Sequence, residues 1–353
     1  MAEHTTEHTT EHTAPGTPLT DPLRHHGDVE ATDGLIDFAV NVHPGPRPVW
    51  LDEALRSSLD DIHRYPSPTA ARAAVAARHG SAPEEVLVTA GAAEAFSLIA
   101  RLRAWQCPVV VHPQFTEPHA ALAQAGRTVQ PVLLPPPFTL DPDRVPDRAD
   151  LVVVGNPTNP TGVLHPTDTI DRLRRPGRLV VVDEAFLDCV GEHASMLPRL
   201  GHPGGDLVVI RSLTKHWSMP GVRAGYLLGP ADVVGALARG QVPWSVSTSA
   251  AAATVACCTP AAADEAVRRA RQIAGWREDL QQGLTDLGIA HLASSASFVL
   301  ARTGEGVHAR LRASGIAVRR ADSFPGLDAS WVRIAVRPQD TTRTLLRALA
   351  AMP

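Results

Sequence analysis

The sequence predicts an α/β fold: a large domain built on a mostly parallel central sheet, followed by a smaller α+β domain. Three observations predict it. Short apolar runs such as Val86-Leu87-Val88 and Leu179-Val180-Val181-Val182 are continuous rather than alternating, the pattern of strands buried on both faces. Stretches with helical spacing separate these runs, as in successive βαβ units. Beyond about residue 245 the texture changes to long charged helices and short strands.

Taken in order, residues 1–20 carry the near-repeat EHTT, EHTT, EHTA. Such a polar stretch has no apolar surface to bury, and it reads as a disordered, solvated tail, His4, His8 and His12 included. Residues 21–48 form an arm containing His25-His26-Gly27-Asp28 and a short strand near 35–41, closed by a Pro-rich turn. This arm is expected to pack with the second domain. Residues 49–244 form the large domain. Helical spacing covers 50–60 and 68–79, with His63-Arg64-Tyr65-Pro66 between them. Strands are expected at 86–89, 109–112, 132–134, 151–154, 179–182, 207–210 and 224–228, with helices at 91–103, 116–125 and 166–174. Residues 245–353 form the small domain: an Ala-rich segment at 248–258, a long helix at 261–287, strands at 296–301, 316–320 and 331–336, and helices at 305–313 and 340–350.

Composition narrows the function classes. The chain has 353 residues, 44% hydrophobic and 20% charged, enough for a sizeable core and two domains. A net charge of −4 offers no basic surplus for nucleic acid. No apolar run approaches a membrane span. The four cysteines, Cys107, Cys189, Cys257 and Cys258, lack metal-ligand or redox spacing and read as reduced thiols of a cytoplasmic protein. The polar, acidic start is neither a signal nor a transit peptide.

In a parallel sheet, ligands sit beyond the carboxyl ends of the strands. Four polar clusters fall at such ends: Gly91, Asn159, Asp183 and Lys215. Alone, each has a plain structural reading: a strand-to-helix turn, a Pro-rich turn, a helix cap and a surface lysine. Together they match the needs of pyridoxal phosphate (PLP). A lysine amine condenses with the cofactor aldehyde. A carboxylate, Asp183, pairs with the pyridine nitrogen so that the ring acts as an electron sink. Ala90-Gly91-Ala92-Ala93 opens a helix whose N–H groups suit a phosphate. Ser212 and Arg223 flank Lys215 and could hold that phosphate as well, and Asn159 could donate to the ring oxygen. A nicotinamide-dependent dehydrogenase would need a GxGxxG opening that the first turn lacks.

The order of these motifs, Gly-led helix opening, Asn-Pro-Thr-Gly, Asp183-Glu184-Ala185-Phe186, then Ser212-Leu213-Thr214-Lys215 with Arg223 eight residues on, resembles the class I/II aminotransferase family of fold type I PLP enzymes. The resemblance covers nearly everything from about residue 25. It implies that Lys215 forms the Schiff base and shuttles protons, and that Asp183 pairs with the pyridinium. Asn159 bonds the ring oxygen. Ser212, Arg223 and the backbone at Gly91, Ala92 and Ala93 hold the cofactor phosphate. By the same resemblance Phe115 stacks on the ring, and Tyr65 reaches the neighbouring subunit's phosphate site, which implies a homodimer. Arg333 clamps a substrate carboxylate.

Two departures mark the branch. The family usually has tyrosine where Phe186 stands, and a hydroxyl where the phosphate loop here has alanines. The Phe186 form, the early His26-Gly27-Asp28, Asp37-Phe38-Ala39-Val40-Asn41 and Pro243-Trp244-Ser245-Val246 are similar to the cobalamin-biosynthesis branch that includes threonine-phosphate decarboxylase, a relative of histidinol-phosphate aminotransferase. A phosphorylated amino substrate follows from that resemblance, with Arg319, Arg337, His26 and Asn41 as further candidates to bind it. The expectation is decarboxylation of threonine phosphate, with transamination as the alternative. A non-catalytic regulatory relative would have lost Lys215 or Asp183, and both are present.

Overall fold

The computed structural model describes residues 21–352, so the expected tail at 1–20 lies outside the described residues. In chain order the elements are β1 (Ile36–Phe38), α1 (Val49–Ser57), α2 (Thr69–His79), β2 (Val86–Thr89), α3 (Ala92–Leu102), β3 (Pro108–His112), α4 (Glu117–Gln124), β4 (Gln130–Leu133), β5 (Leu151–Gly155), α5 (Thr167–Asp171), β6 (Leu179–Asp183), β7 (Asp206–Ser212), β8 (Gly225–Leu228), α6 (Ala231–Gly240), α7 (Thr248–Cys257), α8 (Pro260–Asp286), β9 (Ala290–His291), β10 (Phe298–Arg302), α9 (Val307–Ala313), β11 (Ile316–Arg320), β12 (Trp331–Ala335) and α10 (Gln339–Ala350).

Seven strands form one sheet in the order β2-β8-β7-β6-β5-β3-β4. Strand β8 is antiparallel to both its neighbours, and the other ladders are parallel. The continuous apolar runs explain this sheet. Val152, Val154, Val180 and Val182 pack into one core, while Leu151, Val153, Leu179 and Val181 pack into another on the opposite face. Both faces are therefore covered, and no polar alternation is needed. Strands β2, β5, β6 and β7 all end at the same edge, which gathers the four polar clusters there.

A second sheet has five strands in the order β1-β11-β12-β10-β9. The arm enters it: β1 pairs in parallel with β11, Phe38 opposite Val318. The long helix α8 joins the two sheets. Thr259 caps it by accepting from the Ala262 N–H at 3.2 Å, and Pro260 sits at its first position. Ala262, Ala266, Arg269, Ile273, Leu280 and Leu284 form its buried stripe, at helical spacing. A helix at Ala231–Gly240 was not anticipated; it packs Val233, Val234 and Leu237 against the large sheet. No helix among the described residues is long and apolar enough to cross a membrane.

Candidate active site

The site is built around the loop after β7. Ser212 ends the strand, and its hydroxyl pairs with that of Thr214 at 2.8 Å. Both are buried. The loop is held from two sides. The His43 N–H donates to the Lys215 carbonyl at 2.9 Å, and the Ser218 hydroxyl donates to the His43 and Gly45 carbonyls at 2.8 and 2.9 Å. From α8, Arg269 donates to the His216 carbonyl at 2.9 Å and to the Pro46 carbonyl at 2.5 Å. Burial, together with the positive charges of Arg333 and Arg223, pushes the Lys215 amine down to about 8; Asp28 opposes the shift.

Gly91 has φ +77°, and a Cβ there would sit 2.9 Å from Nη2 of Arg223. Glycine is thus required both by the backbone and by the close approach of the guanidinium. Arg223 itself has φ 58°. The Ala90 N–H is taken by the Glu94 carboxylate at 2.6 Å and that of Gly91 by the Thr89 carbonyl at 2.8 Å. Ala92 and Ala93 lie in the first turn of α3, where N–H groups have no intrahelical acceptor. Helix terminus and guanidinium together make an anion cradle.

Asp183 ends β6 and is 8% exposed. Its carboxylate accepts from the Ala185 N–H at 3.0 Å and forms no ion pair among the described residues. Burial pushes its pKa up to about 6, with Glu184 adding to the shift. Asn159, in the turn after β5, accepts from Arg333 Nη1 at 2.6 Å. Arg333 is buried in β12. It also donates to the Ala39 carbonyl at 2.6 Å and, with the Asn41 amide oxygen turned toward it, to Asn41 at 2.9 and 3.2 Å. Its register partner on β11 is Arg319. Burial and that neighbouring charge depress the Arg333 pKa. Two adjacent buried guanidiniums, one of them without a carboxylate in contact, favour an anionic ligand.

The arm crosses this region. Glu117 of α4 accepts from Arg24 at 2.8 Å and pairs with His26 at 2.6 Å. The His26 ring lies 5.6 Å from that of Phe115. Arg319 donates to the His25 carbonyl at 2.5 Å and the Ser323 hydroxyl at 2.6 Å, and its Cζ lies 4.9 Å from the Phe324 ring. A Cβ on Gly27 would come 3.2 Å from Arg333 Nη2, so the arm backbone lies directly on that guanidinium. Phe186 stands edge-on to Phe298 at 4.9 Å and donates nothing.

One expectation needs adjustment. Arg337 was expected beside substrate. Instead its guanidinium is spent on the arm and on its own strand end: it donates to the carbonyls of Asp37, Val40, Val42 and Val336 and to the Asp37 carboxylate. Tyr65 is 78% exposed and stacks on Trp244, with ring centroids 4.4 Å apart. Some residues that shape the site escaped sequence reasoning. Arg269 sits in a charged helical stretch and reads as a surface residue, yet it is 3% exposed. Its place in the apolar stripe of α8 was the available signal. Glu117, which pairs with Arg24 and His26 of the arm, and Glu30 of the arm, which pairs with His308 at 3.0 Å, carried none.

The family described as aminotransferase class I and II matches residues 33–352. The chain belongs to this family. It is 45% identical over 328 residues to a histidinol-phosphate aminotransferase of Mycobacterium bovis, covering 91% of this chain and 89% of that one. It is 30% identical to the threonine-phosphate decarboxylase of Salmonella typhimurium, covering 90% and 91%. The crystal structure of the histidinol-phosphate aminotransferase from Clostridium acetobutylicum superposes with a TM-score of 0.83 at 24% identity, over 90% of this chain and 98% of that one, a likeness of fold. The chain is a PLP-dependent enzyme of fold type I.

The residues fit that cofactor. The buried Asp183 carboxylate lacks a cation, which a protonated pyridine nitrogen supplies. The cradle of Gly91, Ala92, Ala93, Ser212 and Arg223 suits a phosphate dianion, and Lys215 has a depressed pKa suited to an aldehyde. Bound there, PLP supplies an electron sink for the bond broken at the substrate α-carbon. With PLP held there, Asp183 would keep that sink protonated, Arg333 would orient substrate, and the Lys215 Nζ would move protons.

Proposed function

We propose that this enzyme is an aminotransferase acting on a phosphorylated amino compound of the histidinol-phosphate type. The reading is carried by the 45% identity to histidinol-phosphate aminotransferases, against 30% to the decarboxylase. The earlier expectation of decarboxylation therefore gives way to its alternative. Arg333 supports the choice physically. A rigid guanidinium braced by Asn159, Asn41 and Ala39 is suited to hold the α-carboxylate of the glutamate/2-oxoglutarate partner near the ring plane. The Cα–H bond then stands perpendicular and is the one broken. Arg319 is assigned the substrate phosphate, with His26 and Asn41 lining the approach. Two copies are assigned to pair so that Tyr65 of one reaches the other's phosphate site; Leu59, Ile62, Val242 and Trp244 are exposed apolar neighbours in the same two chain segments.

The test uses purified, PLP-loaded protein. With histidinol phosphate and 2-oxoglutarate it should form glutamate. Carbon dioxide release from threonine phosphate, with no glutamate formed from histidinol phosphate, would overturn the assignment and restore the lyase reading.

A further inference from the structure

Behind the cofactor lysine lies a small cavity of about 10 Å³, bounded by Lys215, His216, His43, Phe186, Asp188 and Ser297 among others. Two imidazoles meet there, with ring centroids 6.5 Å apart. Both are buried, His216 3% and His43 6% exposed. The Nδ1 of His43 accepts from the Gly45 N–H at 3.0 Å, so its proton sits on Nε2. That Nε2 has no hydrogen-bond partner, and neither ring nitrogen of His216 has one. The Gln272 side chain lies beside His43 and the Ala266 backbone beside His216.

A buried polar atom left unpaired costs about 1–3 kcal/mol. Here three such atoms belong to two side chains that line one cavity, and the rings donate and accept in complementary ways. A volume of this size takes about one water, and a stable internal water needs two to four polar partners. We propose that this cavity holds one ordered water shared by His43 and His216, and that the two histidines are positioning residues which solvate the Lys215 amine from the cavity side through that water.

The charges around the group are these. Arg333, Arg223 and Asp28 act on Lys215; Asp188, Glu265 and Arg269 act on His216; Arg269 and His216 act on His43. Burial holds both imidazoles neutral at pH 7, His43 pushed down to about 4. The pair therefore acts as a dipole rather than a charge. A neutral acceptor near an amine, here the remaining lone pair of the water that the two histidines hold, favours its protonated form, and its loss disfavours it.

Crystals of the PLP-loaded enzyme should show a water within hydrogen-bond reach of His43 Nε2 and a ring nitrogen of His216. A cavity without water density overturns the proposal. The second readout is the pH titration of the absorbance of the lysine–cofactor link. Replacing His216→Phe should move its midpoint down by about half a unit, roughly 3-fold in proton affinity. His216→Gln, which keeps a polar end, should move it less, and His43→Phe should move it in the same downward direction. Unchanged midpoints in both Phe variants, with native circular dichroism, also overturn it. Should His216→Phe not fold, His43→Phe and the crystal decide alone.

Discussion

Arg333 donates to Asn159 at 2.6 Å, across the gap between the small sheet and the large one. The residue assigned to the carboxylate and the residue assigned to the cofactor ring oxygen are thus one hydrogen-bonded unit. With its oxygen occupied by a guanidinium, the Asn159 amide must present its NH₂ elsewhere. Replacing Arg333→Ala should therefore disturb both functions. We expect kcat/KM for 2-oxoglutarate to fall about 10²–10³-fold, or ~3–4 kcal/mol, with weaker cofactor retention. Arg333→Ala and Asn159→Ala together should cost less than the sum of the two. Steady-state kinetics and PLP dissociation in a double-mutant cycle check this.

Lys215 has its pKa depressed to about 8. At pH 7 about a tenth of the amine is then neutral, against roughly one part in three thousand for an ordinary lysine. The rate at which PLP attaches to apoprotein should rise with pH to a midpoint near 8. Stopped-flow absorbance measures it. A midpoint near 10 would show that the surroundings leave the amine unperturbed. Lys215→Ala should bind PLP without the covalent absorbance band.

Asp183 makes a contrasting prediction. Its folded pKa, about 6, lies above the model-peptide value. A raised carboxylate costs stability above pH 6, and the cost is relieved as pH falls through 6 toward 4. Asp183→Asn keeps the acceptor for the Ala185 N–H but removes the buried charge. At pH 8 the variant apoprotein should be more stable by on the order of 1–3 kcal/mol, while activity falls at least about 100-fold. Urea unfolding of both apoproteins at pH 5 and pH 8 tests it; the difference should shrink at pH 5.

Gly91→Ala places a methyl group 2.9 Å from the Arg223 guanidinium and forces a non-glycine residue to φ +77°. The helix terminus and the arginine can no longer approach each other. The affinity for PLP should drop about 10-fold or more, measured by equilibrium dialysis, with little change in KM for substrates once the enzyme is loaded.

Arg337 holds the arm through the carbonyls of Asp37, Val40 and Val42. Arg337→Ala should lower stability by about 2–4 kcal/mol, since it leaves several buried carbonyls unpaired. Arg337→Lys should not restore it, because an ammonium lacks the planar fork. A selective rise in KM for the phosphorylated substrate, with unchanged thermal stability, would return Arg337 to the substrate site.

How much of this was legible from the sequence follows from what kind of signal each residue leaves. The apolar runs at 151–154 and 179–182 are continuous because both faces of β5 and β6 are covered, so sheet type and strand positions could be read locally. Lys215, Asp183, Asn159 and Gly91 were legible because parallel strands deliver their ends to one edge, which depends on topology and not on packing detail. Helix α6 was missed although Val233, Val234 and Leu237 lie at helical spacing. Arg337 and Arg319 look alike in sequence, two arginines at strand ends. Only the tertiary structure gives each its partners: Arg337 donates to arm carbonyls about three hundred residues away in the chain, and Arg319 to the His25 carbonyl and the Ser323 hydroxyl. The same holds for Arg269, and for the two histidines behind Lys215. Their burial and missing partners arise where the arm, α8 and the lysine loop meet, and no local pattern encodes that meeting. The sequence by itself determined the fold class and the cofactor chemistry, because both rest on motif order and strand periodicity. What surrounds each of these arginines, and what surrounds the lysine, was decided by long-range contacts that form only on folding.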